Sequence, residues 1–208
     1  DIVMTSPYGT SYNAYLVKGG EKTALIETVH KDYFDQLVHN IEEVLPLEKL
    51  DYLIMNHTEP DHSGSVRALL ERCPNLTVLC SNPAKKFLSA IANEDFPCRV
   101  VKDGDTLDLG GKTLTFLSAP LLHWPDTMFT WDPADQTLFT CDFLGAHFCE
   151  PTMVDTGIQA EYRGRYEAEL KNYFDCIFGP FHPAVLAGLD KLPAEARLVC
   201  TSHGPCLT

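Results

Sequence analysis

The stretch YLIMNHTEPDH, residues 52–62, is an apolar run that breaks into four potential metal ligands, His57, Glu59, Asp61 and His62. Imidazole nitrogens and carboxylate oxygens are donors that zinc, iron and manganese accept. The segment therefore reads as a buried strand that ends at a metal site. Side chains alternate along a strand, which would set positions 57, 59 and 61 on one side. Glu59 bears on the identity of the metal, because a zinc site would more readily use a second imidazole there.

Strand-like and helix-like segments interleave on both sides of this run. Upstream, residues 11–18 and 23–29 read as strands flanking the turn at Gly19 and Gly20. Residues 31–45 carry apolar side chains at 34, 37, 38, 41, 44 and 45, which is one helical face. The strand at 51–56 leads into a helix over 61–72, with Asp61 placed to act as its N-cap. A strand at 76–81, a helix at 84–93 and a strand at 99–102 follow. Residues 106–109 and 112–118 pair as a hairpin across Gly110 and Gly111, and 128–132 and 137–142 pair across Pro133, Ala134 and Asp135. Helices over 161–178 and 183–192 and a last strand at 198–201 complete the chain. No repeat, low-complexity tract or linker interrupts it. Two mixed halves of strands and helices fit an α/β fold of four layers, an αβ/βα sandwich, over a single domain spanning 1–208.

Composition limits the function classes. The chain has 208 residues, 45% apolar and 22% charged, which is globular composition with enough length to bury a core. A formal net charge of −13 opposes binding to nucleic acid or an anionic membrane surface. No apolar run approaches the roughly 20 residues of a membrane span, and no signal-peptide pattern opens the sequence. The eight cysteines, at 73, 80, 98, 141, 149, 176, 200 and 206, form no CxxC pair. They read as buried or free thiols of a reducing compartment, and the protein as cytoplasmic.

Later apolar runs end in the same kind of residue as the first. The run 114–122 ends at His123, the run 137–141 at Asp142, and the run 198–202 at His203, followed by Gly204 and Pro205. Sixty residues separate His62 from His123, 18 separate His123 from Asp142, and 60 separate Asp142 from His203. Loops at one sheet edge would bring these groups to a shared site. Taken singly, each is more simply a cap, a core hydrogen-bonding group or a surface residue. His30 and His39 read as surface residues, and His182 as structural. His147 reads as lining the site, and Trp124, Tyr12, Phe148 and Met128 as core or pocket residues near it.

The motifs HTEPDHSG at 57–64, LLHWPDTMF around His123, LFTCDFLGAHF around Asp142 and SHGP around His203 resemble the metallo-β-lactamase-like domain of the flavodiiron proteins. These are rubredoxin:oxygen and nitric oxide oxidoreductases. The resemblance includes SPYGTSYNAYLV at 6–17 and YFDCIFGPFHPAVLAGLDKL at 173–192, and so runs the length of the chain. It implies the αβ/βα sandwich and two iron ions joined by an oxo or hydroxo bridge. His57, Glu59 and His123 would hold one iron, Asp61, His62 and His203 the other, and Asp142 would bridge them. Three carboxylates against the four charges of a reduced iron pair leave room for one hydroxide. Hard oxygen donors also suit iron in both oxidation states. The implied chemistry is reduction of O2 towards water, or of NO to N2O.

Zinc hydrolases of this fold carry a His where this chain has Glu59, so a dizinc hydrolase is the weaker alternative. The resemblance has limits. Complete flavodiiron proteins carry a flavodoxin-like FMN domain that feeds the irons of a homodimeric partner, and no FMN phosphate loop is found in this sequence. Electrons would then come in trans, from rubredoxin or a separate flavoprotein. The chain also starts without Met and without the family's opening strand, which reads as a fragment or a flavin-free branch. An oxygen-binding sensor with a signalling partner is the alternative from another class. The common DAFG motif of the family is Asp142–Phe143–Leu144–Gly145 here, which alters the surroundings of the bridging carboxylate.

Overall fold

The computed structural model describes residues 4–93, 95 and 97–208. Its strands form two five-stranded sheets. The first holds β1 (Tyr15–Lys18), β2 (Thr23–Ile26), β3 (Tyr52–Met55), β4 (Thr77–Cys80) and β5 (Cys98–Val100) in that order. β1 and β2 are antiparallel, and β2 through β5 run parallel. Helices cover the crossovers: α1 (Phe34–Glu42), the single turn α2 (Pro60–Ser63), α3 (Val66–Arg72) and α4 (Asn82–Ala92). The second sheet has the order β10-β9-β8-β7-β6, from β6 (Thr106–Asp108), β7 (Thr113–Ser118), β8 (Met128–Asp132), β9 (Thr137–Cys141) and β10 (Leu198–Thr201). Two antiparallel hairpins build most of it, and β10 returns parallel to β9 through α5 (Ala160–Ile177) and α6 (His182–Leu189).

The period of two along each strand sorts side chains into layers. Leu25, Leu53, Met55, Val78 and Cys80 point outward and pack with Leu37, Val38, Ile41, Val66, Leu69, Ala84 and Leu88 of the first helical layer. Their neighbours Ala24, Ile26, Ile54 and Leu79 point inward and meet Leu114, Phe116, Met128 and Phe139 of the second sheet. On the far side, Phe129 and Leu138 pack under Tyr173, Phe178 and Val185. The result is a four-layer α/β sandwich, helices–sheet–sheet–helices, as the sequence pattern predicts.

The differences lie at element ends. The strand expected over 23–29 stops at Ile26, because Glu27 has a left-handed backbone (φ 64°) and its carboxylate accepts the Asn56 amide at 2.7 Å. The strand expected over 11–18 starts only at Tyr15. The helix expected over 31–45 opens with a 3-10 turn, Lys31–Tyr33, before α1. The helix expected over 61–72 is two helices, separated at Gly64 and Ser65. Gly64 packs so closely that a Cβ would sit 2.4 Å from Pro60 O and 2.9 Å from Lys31 N, which leaves no room for a side chain there. Asp61 is not an N-cap: Pro60 takes the first helical position, as its fixed φ suits, and Glu59 holds the cap. Phe148 and Met128 are core residues, as read. His182 is exposed at the start of α6, not structural. His39 is exposed, whereas His30 is half-buried and accepts the Asp32 amide at the start of the 3-10 turn.

Candidate metal centre

All seven expected donor residues lie together where the C-terminal ends of β3, β9 and β10 face one another. They do not reach it in the expected way. β3 ends at Met55, so strand alternation does not place residues 57, 59 and 61; His57 and Glu59 sit on the following loop and Asp61 and His62 on α2. A helical turn there projects adjacent residues along different directions, letting Asp61 and His62 converge with His203. His123 does not follow a strand directly either. β7 stops at Ser118, and a tight loop with Leu121 at φ 68° and its amide donating to Trp124 O carries the chain to His123. Asp142 and His203 do follow their strands. Cys141 turns through φ 53° at the end of β9, and the Ala146 amide donates to His203 O, tying the two loops together.

Asp142 divides the cluster. Its Oδ2 lies 3.6 Å from His57 Nε2 and 3.1 Å from His123 Nε2, and Glu59 Oε2 lies 3.6 and 3.0 Å from the same two nitrogens. Its Oδ1 lies 2.9 Å from His62 Nε2 and 3.3 Å from His203 Nε2, with Asp61 3.4 and 3.3 Å from those nitrogens. Four imidazoles thus aim Nε2 inward, two at each oxygen of one carboxylate. Within each group one donor atom per residue lies within 4.8 Å of the others: His57, Glu59, His123 and Asp142 in one, Asp61, His62 and His203 in the second. Cys141 also comes within this distance of His62 and Asp142.

Buried atoms in the cluster lack hydrogen-bond partners: His57 Nε2, His62 Nε2, Asp61 Oδ1 and Asp142 Oδ1. An unpaired buried polar atom is costly, and cations between these donors would satisfy all of them at once. The electrostatics point the same way. Burial opposes the charge on Asp142, yet His62, His123 and His203 hold its carboxyl well below the usual range. Glu59 is likewise held down to about 2, its contacts with His123 and His57 outweighing burial. Burial would lower the imidazoles, but Asp126, Glu59 and Asp142 lift His57 to about 10, and Asp142 and Glu59 lift His123 to about 9. The donor set calls for positive charge, and two metal ions fit it.

The remaining contacts orient the donors. His203 donates Nδ1–H to Ser11 O at 2.8 Å, which turns Nε2 inward. Asp126, wholly buried in the segment before β8, lies with Oδ2 3.3 Å from His57 Nδ1 and accepts Thr58 Oγ1–H at 2.7 Å. Sequence reasoning missed Asp126; an acid between two tryptophan-containing apolar runs was the available signal. Glu27 was missed too. It is buried, its carboxyl is raised well above the usual value by burial, and it fixes Asn56 next to His57. His147 is no part of either donor group: its Nδ1 meets Thr10 Oγ1 at 2.8 Å, its ring stands edge-on to His203 at 4.8 Å, and burial lowers it to about 4. Trp124 stands perpendicular to His57 at 5.1 Å, and Tyr12 meets His203 at 5.8 Å, so both pack on donors. Tyr173, buried and edge-on to His147 at 4.9 Å, is a further wall that the sequence did not single out.

Comparison with known proteins places this geometry. The family model described as ODP family beta lactamase matches residues 10–173. The flavo-diiron protein FprA2 of Clostridium acetobutylicum is 53% identical over 211 residues, an alignment that covers all of this chain and 52% of that protein. A putative diflavin flavoprotein A 2 of Synechocystis is 43% identical and matched over 35% of its length. The chain therefore spans about half or less of these relatives. Among solved structures, the rubredoxin oxygen:oxidoreductase of Desulfovibrio gigas superposes with a TM-score of 0.91 at 34% identity, over 97% of this chain and 50% of that one. The flavodiiron protein of Giardia intestinalis also gives 0.91, at 28% identity, over 97% of this chain and 49% of that one. With a family match over most of its length and the same sandwich as these structures, the chain belongs to the ODP β-lactamase family, and it is similar throughout to the metallo-β-lactamase-like half of flavo-diiron proteins.

Proposed function

We propose that residues 1–208 act as one domain that holds two iron ions and reduces O2, NO or both, with electrons from a flavin- or rubredoxin-type donor. The observation that carries this reading is the division of the donors about Asp142. His57, Glu59 and His123 surround one carboxylate oxygen and Asp61, His62 and His203 the other. A bound iron pair would supply electrons to a diatomic ligand and take them from the donor. The chain's own part is to hold the donors and shape the approach. Asp126 and Ser11 O fix the tautomers of His57 and His203, so that each offers an unprotonated Nε2. Glu59 adds a third carboxylate, whose charge favours a metal that passes between two oxidation states over a zinc ion poised as a Lewis acid.

Dimeric assembly, FMN on a separate domain or partner and a cytoplasmic setting belong to the same proposal. The eight free cysteines suit a reducing compartment. Among the described residues no helix is long and apolar enough to cross a membrane.

Metal analysis and anaerobic turnover test the reading. About two irons per chain and repeated consumption of O2 or NO with a reduced flavoprotein are expected. A slow, single-turnover colour change would instead point to a sensor. Two zinc ions, no optical response to O2 and hydrolysis of a thioester or lactam would overturn it.

A further inference from the structure

Two cysteines outside the donor set face each other across the segment that presents His203. Val199 and Leu207 exchange backbone hydrogen bonds in both directions at 2.9 Å, which makes them an antiparallel hydrogen-bonded pair. One step towards the loop, Cys200 and Cys206 oppose each other at the next, non-hydrogen-bonded position, where Cα atoms stand about 4.5 Å apart and side chains are closest. A disulfide needs Cα atoms roughly 4.4–6.8 Å apart. The Cys206 amide turns away to Met153 O at 2.9 Å, as that position requires.

Access and reactivity differ between the two. Cys206 lines a cavity of about 800 Å³ together with Tyr15, Met153, Gly204 and Pro205, so a small oxidant can reach it. Both cysteines are buried, but Cys200 is absent from that lining. The Tyr15 hydroxyl lies 3.4 Å from Cys206 Sγ. The neighbouring Cys200 thiol draws Cys206 down against burial, and Cys206, with burial, pushes Cys200 up.

We propose that Cys200 and Cys206 form a modification site that hydrogen peroxide closes to a disulfide, making a ring around the His203 loop. Cys206 sulfur attacks one peroxide oxygen, the O–O bond breaks, and the departing hydroxide takes a proton to become water. The resulting sulfenic acid is then attacked by Cys200 sulfur. Its S–O bond breaks, and the hydroxide leaves as a second water with the Cys200 proton. Two thiols lose two electrons and two protons, and one peroxide becomes two waters. The ring encloses Thr201, Ser202, His203, Gly204 and Pro205, tethering at both ends the loop that turns His203 inward. The step needs no metal and does not depend on the proposed iron chemistry.

The test treats the metal-loaded protein with one equivalent of hydrogen peroxide, blocks thiols after denaturation and maps peptides by mass spectrometry. A repeat with zinc-loaded protein removes oxidation generated by iron. The expected result is loss of two of the eight thiols, a Cys200–Cys206 cross-link 2 Da lighter than the two free thiols, and recovery with dithiothreitol. Cys206→Ser should lose the cross-link and keep Cys200 reduced. Oxidation confined to the exposed Cys149 and Cys176, a Cys80–Cys98 bridge, or Cys206 sulfinic acid without cross-link would overturn the proposal. The mapping on the unaltered protein decides it even if the variant folds poorly.

Discussion

Replacing Asp126 with Asn should weaken one metal position and spare the other. Asp126 is wholly buried and touches no donor atom of the second group; through Oδ2 it reaches His57 Nδ1 at 3.3 Å and the Thr58 hydroxyl at 2.7 Å. The amide keeps the volume, and its oxygen still accepts, but the charge that fixes the His57 tautomer is gone. Loss of such a carboxylate behind a ligating imidazole typically costs 10–100-fold in metal affinity, or about 1.4–2.8 kcal/mol. The assay is a stepwise Co²⁺ or Zn²⁺ titration against a competing chelator. The position formed by His57, Glu59 and His123 should shift by that factor, while that formed by Asp61, His62 and His203 moves much less. Asp126→Ala should add a folding penalty of about 1–3 kcal/mol, since the Thr58 hydroxyl and His57 Nδ1 then lie buried without a partner. Unchanged titrations in Asp126→Asn, or equal weakening of both positions, would refute the assignment of Asp126 as the group that orients His57.

Other expectations follow from the same geometry. In the metal-free protein His57 is lifted to about 10 and His123 to about 9, so both carry protons at neutral pH and must shed them to bind a metal. Metal loading should therefore release protons into a weakly buffered solution near pH 7, with release fading as the pH rises through 9 to 10; absence of release at pH 7 contradicts this. Gly204 has φ +76°, and a Cβ there would sit 2.6 Å from Ala146 O. Gly204→Ala should cost at least about 1–2 kcal/mol from the left-handed backbone alone, visible as a lower denaturation midpoint. Phe143 is fully buried and stacked on Phe129 at 5.7 Å, so Phe143→Ala should destabilise by about 3–5 kcal/mol in urea unfolding.

The layered fold was legible because it rests on periodicity. Leu53 and Met55 face one side and Ile54 the other, and alternation of this kind survives whatever happens at the strand ends. The seven residues that cluster were legible as residue types but not as placements. Pro60 starts a helical turn inside HTEPDH, and that turn, not the pleat, separates Asp61 and His62 from Glu59. Likewise the apolar run 114–122 suggests that His123 directly follows its strand, yet the chain leaves the sheet at Ser118, the expected strand end, and Pro120 and the left-handed Leu121 intervene. Asp126 and Glu27 stayed hidden for a different reason. Each acts through a partner distant in sequence, His57 across 69 residues and Asn56 across 29, and no local pattern encodes such a pairing.

Four of the donors hang from the first sheet's loop after β3, and three, His123, Asp142 and His203, from loops of the second. Neither half can hold an ion pair by itself. The free energy of metal binding would thus be added to the docking of the two sheets, and its full value would appear only in global unfolding. Local fraying of α4 or α6 should leave the ions in place, whereas any opening of the seam between the sheets releases both together. In the metal-loaded state the two halves of the sandwich cannot part independently of the cofactor, so free metal concentration sets how tightly the protein is closed.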